Sequence, residues 1–435
     1  MNPRQRMVAS PFHRALRSFV LFALLSGIPF ASAAERIPAF VREHVAQRVE
    51  NGYCVGLVVG VVDADGTSFV GKGRYSPGDD RPVGEDTIFE IGSITKAFTG
   101  VLLADMVERG LAAIDGPVSK SLPPGATVPA RGGKQITLHD LTTHRSGLPR
   151  LPENFDPKDW DNPYADYSAA RLLEGLSKHE LSQDIGAKYA YSNLGAGLLG
   201  YALAQRAGKS YEQLIVERIC DPLGMRDTRI MLSAEQRSRL APGHAAGKPV
   251  KNWDLGALEG AGALRSTARD MLRLMSAGLG LAPSRVSKAL DASHRERHET
   301  GQPELYVAWG WHVWTKHATT IIWHNGGTGG YHSFCGFRPD KKIGVVVLAN
   351  SNEDIDDIGL HLLEPKFELA ALRKTAAVLV AALDDYAGYY ELAPGVVIHV
   401  TRNGEQLFAQ ITGQDKFPVF AESPTKFFYK VVDAH

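Results

Sequence analysis

The sequence predicts a mixed α/β (α+β) fold: an antiparallel sheet flanked by helices, with an all-helical insertion, followed by a small C-terminal all-β domain. Three observations predict it. A β-branched hairpin lies near the start, at residues 54–72, and four more strand-like segments lie between residues 308 and 350. The stretch between them is largely helical. Strands at both ends of one domain therefore predict a single sheet assembled from both ends of the chain.

The first 33 residues have the features of a secretory signal peptide. Four arginines without acidic residues precede an apolar run from Phe19 to Leu25, and Ala31-Ser32-Ala33 supplies a small-residue cleavage site. Ser26-Gly27 and Pro29 interrupt the apolar run, which disfavours a permanent membrane span. We predict export to the periplasm.

The composition and net charge of the chain exclude some classes of function. The chain has 435 residues, of which 44% are hydrophobic and 22% are charged, as in soluble globular proteins. Removing residues 1–33 takes the formal net charge from +0 to −4. A mildly acidic protein is a poor candidate for binding nucleic acid. Cys54, Cys220 and Cys335 form no C-x-x-C pattern, and we interpret them as buried or incidental residues.

The opening hairpin turns at Asp63-Ala64-Asp65-Gly66. Its two aspartates could suggest a calcium loop, but that pattern needs a Gly at its sixth position and a Glu at its twelfth, and neither is present. The turn interpretation therefore prevails.

The remaining elements follow in order. A helix with one buried apolar face is predicted from Ser93 to Gly110, and residues 112–190 mix short helices with proline-rich loops. Further helices are predicted at 194–207, 211–219 and 266–279, strands at 308–314, 319–323, 331–338 and 343–350, and a helical segment at 353–383. Short alternating strands then form the β module, so the predicted domains are 34–383 and 384–435.

Ser93 and Lys96 carry the first chemical pattern. Their spacing of three residues puts both side chains on one helical face, with Cβ atoms about 5–6 Å apart. A serine hydroxyl needs a nearby base to become a nucleophile, and a lysine on the same face can act as that base. The helix N-terminus also favours negative charge that develops near Ser93.

Tyr191-Ser192-Asn193 carries the second pattern, at the start of an apolar helix. Beside the Lys96 ammonium the pKa of Tyr191 is expected to fall, so that the phenolate could take the proton from Ser93. Asn193 could hold Lys96 and the acyl side chain of a substrate. The alternative is a structural one, with Ser192 or Asn193 capping the helix.

The third pattern is the run from His324 to Gly330, which is too rich in glycine for an ordinary strand. A backbone N–H of Gly327 could combine with that of Ser93 as an oxyanion hole. His324, Asn325, Gly326 and Gly327 are therefore candidate substrate-binding residues. A phosphate loop is disfavoured because no Gly-Lys-Ser/Thr follows.

Metal and cofactor sites are not expected. His139 and His144 lie five residues apart, a poor helical spacing for a metal, and no Glu lies between them. The sequence around Ser93 is not G-x-S-x-G, which disfavours an α/β-hydrolase fold.

The three patterns in this order resemble the penicillin-recognising serine hydrolases, and the class C β-lactamase group in particular. That group includes D-alanyl-D-alanine carboxypeptidases, D-aminopeptidases and family VIII carboxylesterases. The resemblance covers about residues 37–365, with further similar segments at 136–149, 221–228 and 260–267. The tail from Tyr386 resembles the lipocalin-like β module found after such domains.

The resemblance implies that Ser93 is the acylated nucleophile, that Lys96 and Tyr191 serve as bases, and that Asn193 orients the acyl amide. The family usually has Lys-Thr/Ser-Gly as its third motif, where the lysine grips a substrate carboxylate; this chain has His324-Asn325-Gly326. A histidine with an ordinary pKa is charged only part of the time near neutral pH. We therefore expect His324→Lys to flatten activity between about pH 5.5 and 8.

Three functions remain open. The first is a periplasmic serine hydrolase that acts on β-lactams or D-alanyl peptides and that could associate with the cell wall. The second is a family VIII-type carboxylesterase with the same residues. The third is a non-hydrolysing binder of cell-wall fragments, against which the intact Ser93, Lys96 and Tyr191 argue.

Overall fold

A computed structural model describes residues 35–414 and 416–429. The predicted signal peptide, residues 1–33, lies outside the described residues. Within them, a nine-stranded antiparallel sheet separates two hydrophobic cores, and a five-stranded antiparallel sheet forms the C-terminal module. Both the fold class and the small all-β domain agree with the sequence prediction.

The strands of the described chain are β1 (Gly56–Asp63), β2 (Gly66–Ser76), β3 (Asp79–Pro82), β4 (Ile88–Glu90), β5 (Ala130–Arg131), β6 (Lys134–Gln135), β7 (Gly243–Ala245), β8 (Lys248–Val250), β9 (Arg265–Thr267), β10 (His298–Glu299), β11 (Leu305–Val307), β12 (His312–Trp314), β13 (Ile321–Gly327), β14 (His332–Arg338), β15 (Ile343–Ala349), β16 (Gly388–Ala393), β17 (Val396–Asn403), β18 (Gln406–Ile411), β19 (Lys416–Ser423) and β20 (Lys426–Tyr429).

The helices of the described chain are α1 (Ala39–Glu50), α2 (Thr95–Glu108), α3 (Leu138–Thr142), α4 (Ala169–Lys178), α5 (Asn193–Ala207), α6 (Tyr211–Ile215), α7 (Asp221–Leu223), α8 (Ala234–Ser238), α9 (Glu259–Gly262), α10 (Ala268–Gly278), α11 (Ser287–Arg295) and α12 (Asp356–Leu363). Short 3₁₀ segments add to them, including Gly92–Ile94 and Val380–Tyr386, and a π-helical turn at Val216–Cys220 continues α6.

The main sheet joins the two ends of the domain. Its strand order is β10-β11-β12-β13-β14-β15-β1-β2-β3, so the first strand pairs directly with the last. Val59 lies opposite Val347 in that antiparallel pair. Alternate residues of β1 enter opposite cores: Val58 faces the core that contains α2, and Val59 faces the core that contains α1. Because both faces are covered, the strand is apolar almost throughout instead of alternating.

Helix α2 differs from its prediction. We expected one buried face, but every residue from Thr95 to Met106 is buried. Gly100 shows how closely its surroundings approach, since a Cβ added there would lie 1.9 Å from the Trp309 carbonyl oxygen. The helix that follows Ser93 is therefore enclosed by protein, which fixes the position of its N-terminal end.

Two further predictions need correction. The predicted strand at 308–314 is shorter than expected, because residues 308–311 form the turn between β11 and β12 and only His312–Trp314 is a strand. The predicted helical segment at 353–383 holds only α12 and the start of a 3₁₀ turn. Residues 364–379 instead run irregularly along the surface, held by contacts such as the bond from the Ala376 N–H to the Ala421 carbonyl.

The C-terminal module is a meander of five consecutive strands, β16 to β20. Phe428 from its last strand is buried in the core that contains α1 and α12, which attaches the module to the main domain. Cys54, Cys220 and Cys335 are free thiols and all three are buried. Among the described residues, the helices are too short or too polar to cross a membrane.

Candidate active site

Ser93 lies in a 3₁₀ turn, Gly92–Ile94, between β4 and α2. Gly92 has φ +47°, and a Cβ there would lie 2.9 Å from the Gly327 nitrogen. On the facing strand, a Cβ at Gly326 would lie 2.1 Å from the Ile91 carbonyl oxygen and 2.9 Å from the Ser93 nitrogen. The absence of side chains at these glycines lets the serine turn lie directly against β13.

Lys96 is one turn along, in the first turn of α2, as the spacing predicted. Its Nζ lies 3.0 Å from Ser93 Oγ and donates a hydrogen bond to the Ala261 carbonyl at 2.7 Å. The side chain is buried, with 2% of the residue exposed. Burial, with a smaller contribution from the charge of Arg150, lowers the pKa of Lys96 well below its ordinary value. The amine can therefore lose its proton and accept one from Ser93.

Tyr191 lies beside Ser93 and Lys96, but its pKa differs from the prediction. Lys96 Nζ lies 4.9 Å from the centre of its ring. Burial raises the pKa of Tyr191 to about 12, although hydrogen bonding to Ser93 and the charge of Arg150 oppose the increase. The expected fall in the pKa of Tyr191 is wrong, because burial disfavours both the phenolate and the Lys96 ammonium that was meant to stabilise it.

Asn193 is the first residue of α5, and its neighbour Ser192 is the helix cap, accepting a hydrogen bond from the Gly195 N–H. The structural alternative for this segment is thus partly right. The Asn193 amide interacts with Tyr164 and opposes the rise that burial causes in the pKa of Tyr164. Its Oδ1, however, is buried without a hydrogen-bond partner among the described residues. An unpaired buried acceptor is free for a substrate N–H.

His324 is buried and lies against other histidines. Its ring stacks on that of His312 with centroids 4.8 Å apart, and lies 6.3 Å from the Tyr191 ring. Burial, followed by the nearby His312 and Lys96, lowers the pKa of His324 well below 6.5. The expectation that His324 changes charge between pH 5.5 and 8 is therefore wrong, and with it the basis for the predicted effect of His324→Lys.

Asn325 and Gly327 occupy different surroundings on the same strand. The Asn325 side chain donates to Asp356 Oδ2 at 2.5 Å, on the α12 side of the sheet, and so points away from Ser93. The prediction that the Asn325 side chain binds substrate beside Ser93 is therefore wrong. Gly327 is exposed at the end of β13, beside Gly92. Its backbone is thus next to the serine turn.

His144 was quoted in a similar segment but given no role by sequence reasoning. It adopts φ +55°, which is unusual for a residue with a side chain. Its Nδ1 accepts from the Ser192 N–H at 3.1 Å, its carbonyl accepts from the Ala190 N–H at 2.8 Å, and its ring lies 4.6 Å from the Tyr191 ring. His144 therefore holds the Tyr191 segment in place.

Ser333 and Arg150 were also missed. Ser333 Oγ donates to the Ile91 carbonyl at 2.9 Å and so ties β14 to the serine turn. Arg150 is exposed, and its Cζ lies 5.3 Å from the Tyr191 ring centre. Neither has a local motif; Arg150 only follows the proline that ends the segment at 136–149.

Two groups of side chains in the described chain have metal-ligand chemistry. In one, His139, Glu296 and His298 approach within 3.1–3.2 Å of one another. Arg145 donates to His298 Nδ1 at 2.7 Å, so the proton of that neutral ring lies on Nε2, the nitrogen that faces His139 and Glu296. The geometry fits a hydrogen-bonded cluster better than a metal site. The other group is His332, Asp354 and Asp356, where Asp356 already accepts from His332 and Asn325.

Comparison with known proteins agrees with this geometry. The family described as Beta-lactamase matches residues 41–362, well over half of the chain. This chain belongs to the β-lactamase family. A second family, described as a domain of unknown function (DUF3471), matches residues 372–435.

Among its relatives within the β-lactamase family is the D-alanyl-D-alanine-carboxypeptidase/endopeptidase AmpH of Escherichia coli (strain K12). The two are 30% identical over 376 residues, which cover 80% of this chain and 97% of AmpH. The β-lactamase/D-alanine carboxypeptidase from Yersinia pestis is 27% identical, with a TM-score of 0.63 over 72% of this chain and 93% of the other. A class C β-lactamase from Rhodobacter sphaeroides is 26% identical, with a TM-score of 0.64 over 75% and 98%.

These matches confirm the predicted family, the fold class and the enzyme class, a serine hydrolase of the β-lactamase and carboxypeptidase type.

Proposed function

We propose that this protein hydrolyses an amide bond in a β-lactam or a D-alanyl peptide through an acyl-enzyme on Ser93. The observation that carries the proposal is the 3.0 Å separation between Lys96 Nζ and Ser93 Oγ, in a pocket whose burial lowers the pKa of the amine. A neutral amine at this distance is a proton acceptor for the serine hydroxyl.

In acylation, Ser93 Oγ forms a bond to the substrate carbonyl carbon while its proton passes to Lys96 Nζ. The backbone N–H groups of Ser93 and Gly327 donate to the oxygen that becomes negative. The bond from the carbonyl carbon to the leaving nitrogen then breaks. Tyr191 is protonated at neutral pH, because its pKa is about 12, and donates its proton to that nitrogen. The proton on Lys96 restores the phenol.

Deacylation uses the same groups in the same roles. Water attacks the ester carbon, its proton passes to the amine of Lys96, and the proton returns to Ser93 Oγ as the ester bond breaks. Asn193 Oδ1, which has no partner among the described residues, accepts the N–H of the acyl side chain throughout. The rate of this second step decides whether the protein behaves as a β-lactamase or as a peptidase that penicillin inhibits.

A carboxylesterase is the second candidate, and the neutral state of His324 favours it. A buried imidazole whose pKa lies well below 6.5 offers no charge to a substrate carboxylate, whereas an uncharged acyl ester needs none. Ester hydrolysis would use Ser93, Lys96 and Tyr191 in the same way.

The test compares three substrates on the purified mature protein: nitrocefin, a D-Ala-D-Ala peptide and p-nitrophenyl butyrate. Turnover and the mass of any adduct are both recorded, with Ser93→Ala as the matched control. Fast nitrocefin turnover, or a stable acyl adduct derived from nitrocefin together with peptide release, supports the proposal. Turnover of the ester alone supports the esterase, and neither turnover nor adduct supports a non-hydrolysing binder.

Export to the periplasm through residues 1–33, and association with the cell wall there, belong to the same proposal. Export is supported by the basic, apolar and small-residue regions of this segment. Expression in a Gram-negative host followed by fractionation and N-terminal sequencing tests it. A periplasmic protein that starts at Ala34 is the expected result, and an uncleaved cytoplasmic protein contradicts it.

A further inference from the structure

In the cleft beside Ser93, the buried Lys96, His144 and His324 form the bottom and the exposed Arg150 forms the mouth. Burial lowers the pKa values of Lys96, His144 and His324 well below their ordinary values, and that of His312 to about 4. The three histidines are therefore neutral at pH 7, and burial favours the neutral form of Lys96. A substrate carboxylate in this cleft needs a positive charge from elsewhere.

Arg150 is exposed, and its guanidinium has no ion pair or hydrogen bond within the described residues. Its charge nevertheless reaches the catalytic groups, because it contributes to lowering the pKa values of Lys96, His144 and Tyr191. A guanidinium stays charged at every accessible pH and can bind a carboxylate with two parallel hydrogen bonds.

The backbone places this cation accurately. The Arg150 carbonyl accepts hydrogen bonds from the N–H groups of Asn193 at 3.0 Å and Leu194 at 3.2 Å. Arg150 is thus tied to the first turn of α5, next to Tyr191 and Asn193. Its Cζ lies 5.3 Å from the Tyr191 ring centre, and Lys96 Nζ lies 4.9 Å from the same point.

A terminal carboxylate one residue beyond the scissile carbonyl lies about one Cα–Cα step, 3.8 Å, along the chain from it. An arginine side chain anchored beside Tyr191 can span such a separation. We propose that Arg150 is the specificity residue that binds a carboxylate on the leaving group of the substrate, in place of a cation on β13. This inference rests on the proposed Ser93 hydrolase, and it deepens that function by selecting acidic over neutral leaving groups.

The test uses two matched substrate pairs. One pair is a D-Ala-D-Ala peptide with a free C-terminal carboxylate and the same peptide as its C-terminal amide. The other is 3-acetoxybenzoate and its methyl ester, in which the carboxylate is again on the leaving group but the scissile bond is an ester. Values of kcat/KM are measured for the wild type, Arg150→Gln and Arg150→Lys, with Lys158→Gln as a control that removes one exposed charge elsewhere.

The wild type is expected to prefer the acidic member of each pair it hydrolyses. Arg150→Gln should lower kcat/KM for the acidic member about 10- to 100-fold, a range typical for loss of a charge-assisted contact, and change the neutral member less than about twofold. Arg150→Lys should recover part of the loss, and Lys158→Gln should lose nothing.

Equal losses on both members of a pair, or a wild type that does not prefer the acid, overturn the role of Arg150. Failure of the proposed function looks different. If the peptides are not hydrolysed but the esters are, the peptidase proposal fails while the ester pair still decides on Arg150. A protein that hydrolyses neither pair contradicts the role of Arg150, and one that also neither hydrolyses nitrocefin nor is acylated by it contradicts the proposed function as well.

Discussion

The bottom of the cleft and its mouth differ in burial, and so in charge. Lys96 and His324 at the bottom are 2% and 1% exposed, and burial lowers the pKa of each toward the neutral form. Arg150 at the mouth is exposed and remains a cation. A base must be neutral to accept a proton, whereas recognition of an anion needs a permanent charge. In our proposal, burial assigns the role of base to Lys96 and the binding of an anion to Arg150, and the predictions below test that division.

The largest effect is expected from Lys96→Arg. An arginine cannot lose its proton, so the variant has a permanent charge in place of the neutral base, and we expect acylation to slow by about 10³- to 10⁴-fold. Adduct formation with a penicillin, followed by mass, measures it, and thermal unfolding checks the fold. Lys188→Arg on the exposed loop is the matched control. A Lys96→Arg protein that acylates within tenfold of the wild-type rate contradicts a neutral amine as the base.

Tyr191→Phe should have the next largest effect, and the effect should depend on the leaving group. The phenol, with a pKa of about 12, donates a proton to a leaving nitrogen. We expect a loss of about 100-fold in kcat with the peptide, but less than about tenfold with p-nitrophenyl butyrate, whose leaving group needs no proton. Equal losses with both substrates would mean that the phenol acts before the leaving group departs.

The stability of the folded protein should fall in acid because of the buried histidines. The pKa of His312 is about 4 in the folded state and near 6.5 when unfolded, so between these values the unfolded chain binds one more proton. The contribution of His312 to the free energy of unfolding is therefore fully present above pH 6.5. It is lost as the pH falls toward 4, by about 1.4 kcal/mol per pH unit. Urea unfolding of wild type and His312→Gln at several pH values should show a shallower slope in the variant. An unchanged slope would mean that His312 is protonated in the folded protein.

The smallest effect is expected when the salt concentration is raised, and it concerns the preference for acidic substrates. The Debye length falls from about 10 Å at 0.1 M to 3 Å at 1 M, which screens an exposed charge but not a buried pocket. The preference for the acidic substrate of each pair should fall a few-fold over this range, while kcat/KM for the neutral methyl ester changes less than about twofold. A salt-independent preference would place the carboxylate contact inside the pocket instead of at its mouth.

Much of the site was predictable because it is local. The spacing of Ser93 and Lys96 put both on one helical face, and Lys96 Nζ lies 3.0 Å from Ser93 Oγ. The glycines at 326 and 327 indicated close backbone approach, and Gly326 does face the serine turn. The predicted sheet from both ends of the chain followed from the same kind of reasoning, since β-branched runs define strands wherever they occur.

The errors came from burial, which a sequence does not display. Tyr191 and His324 were assigned the charge states of exposed groups, yet both lie where desolvation governs the pKa. Asn325 was grouped with its neighbours although alternation along β13 turns its side chain to Asp356 on the opposite face. The segment at 364–379 has helix-forming residues but is irregular, although its Phe367, Leu369 and Leu372 pack against the core that contains α1 and α12.

The sequence by itself determined the family, the sheet built from both ends of the domain and the proximity of Ser93 to Lys96, because periodicity and short spacing encode local geometry directly. Only the tertiary structure decided which of those groups are neutral and where the cleft keeps a charge. Lys96 and Arg150 both read as cations in the sequence, and it is the folded chain that removes solvent from one and leaves it around the other. The free energy of hydrating a charge depends on that surrounding solvent, which long-range packing alone controls.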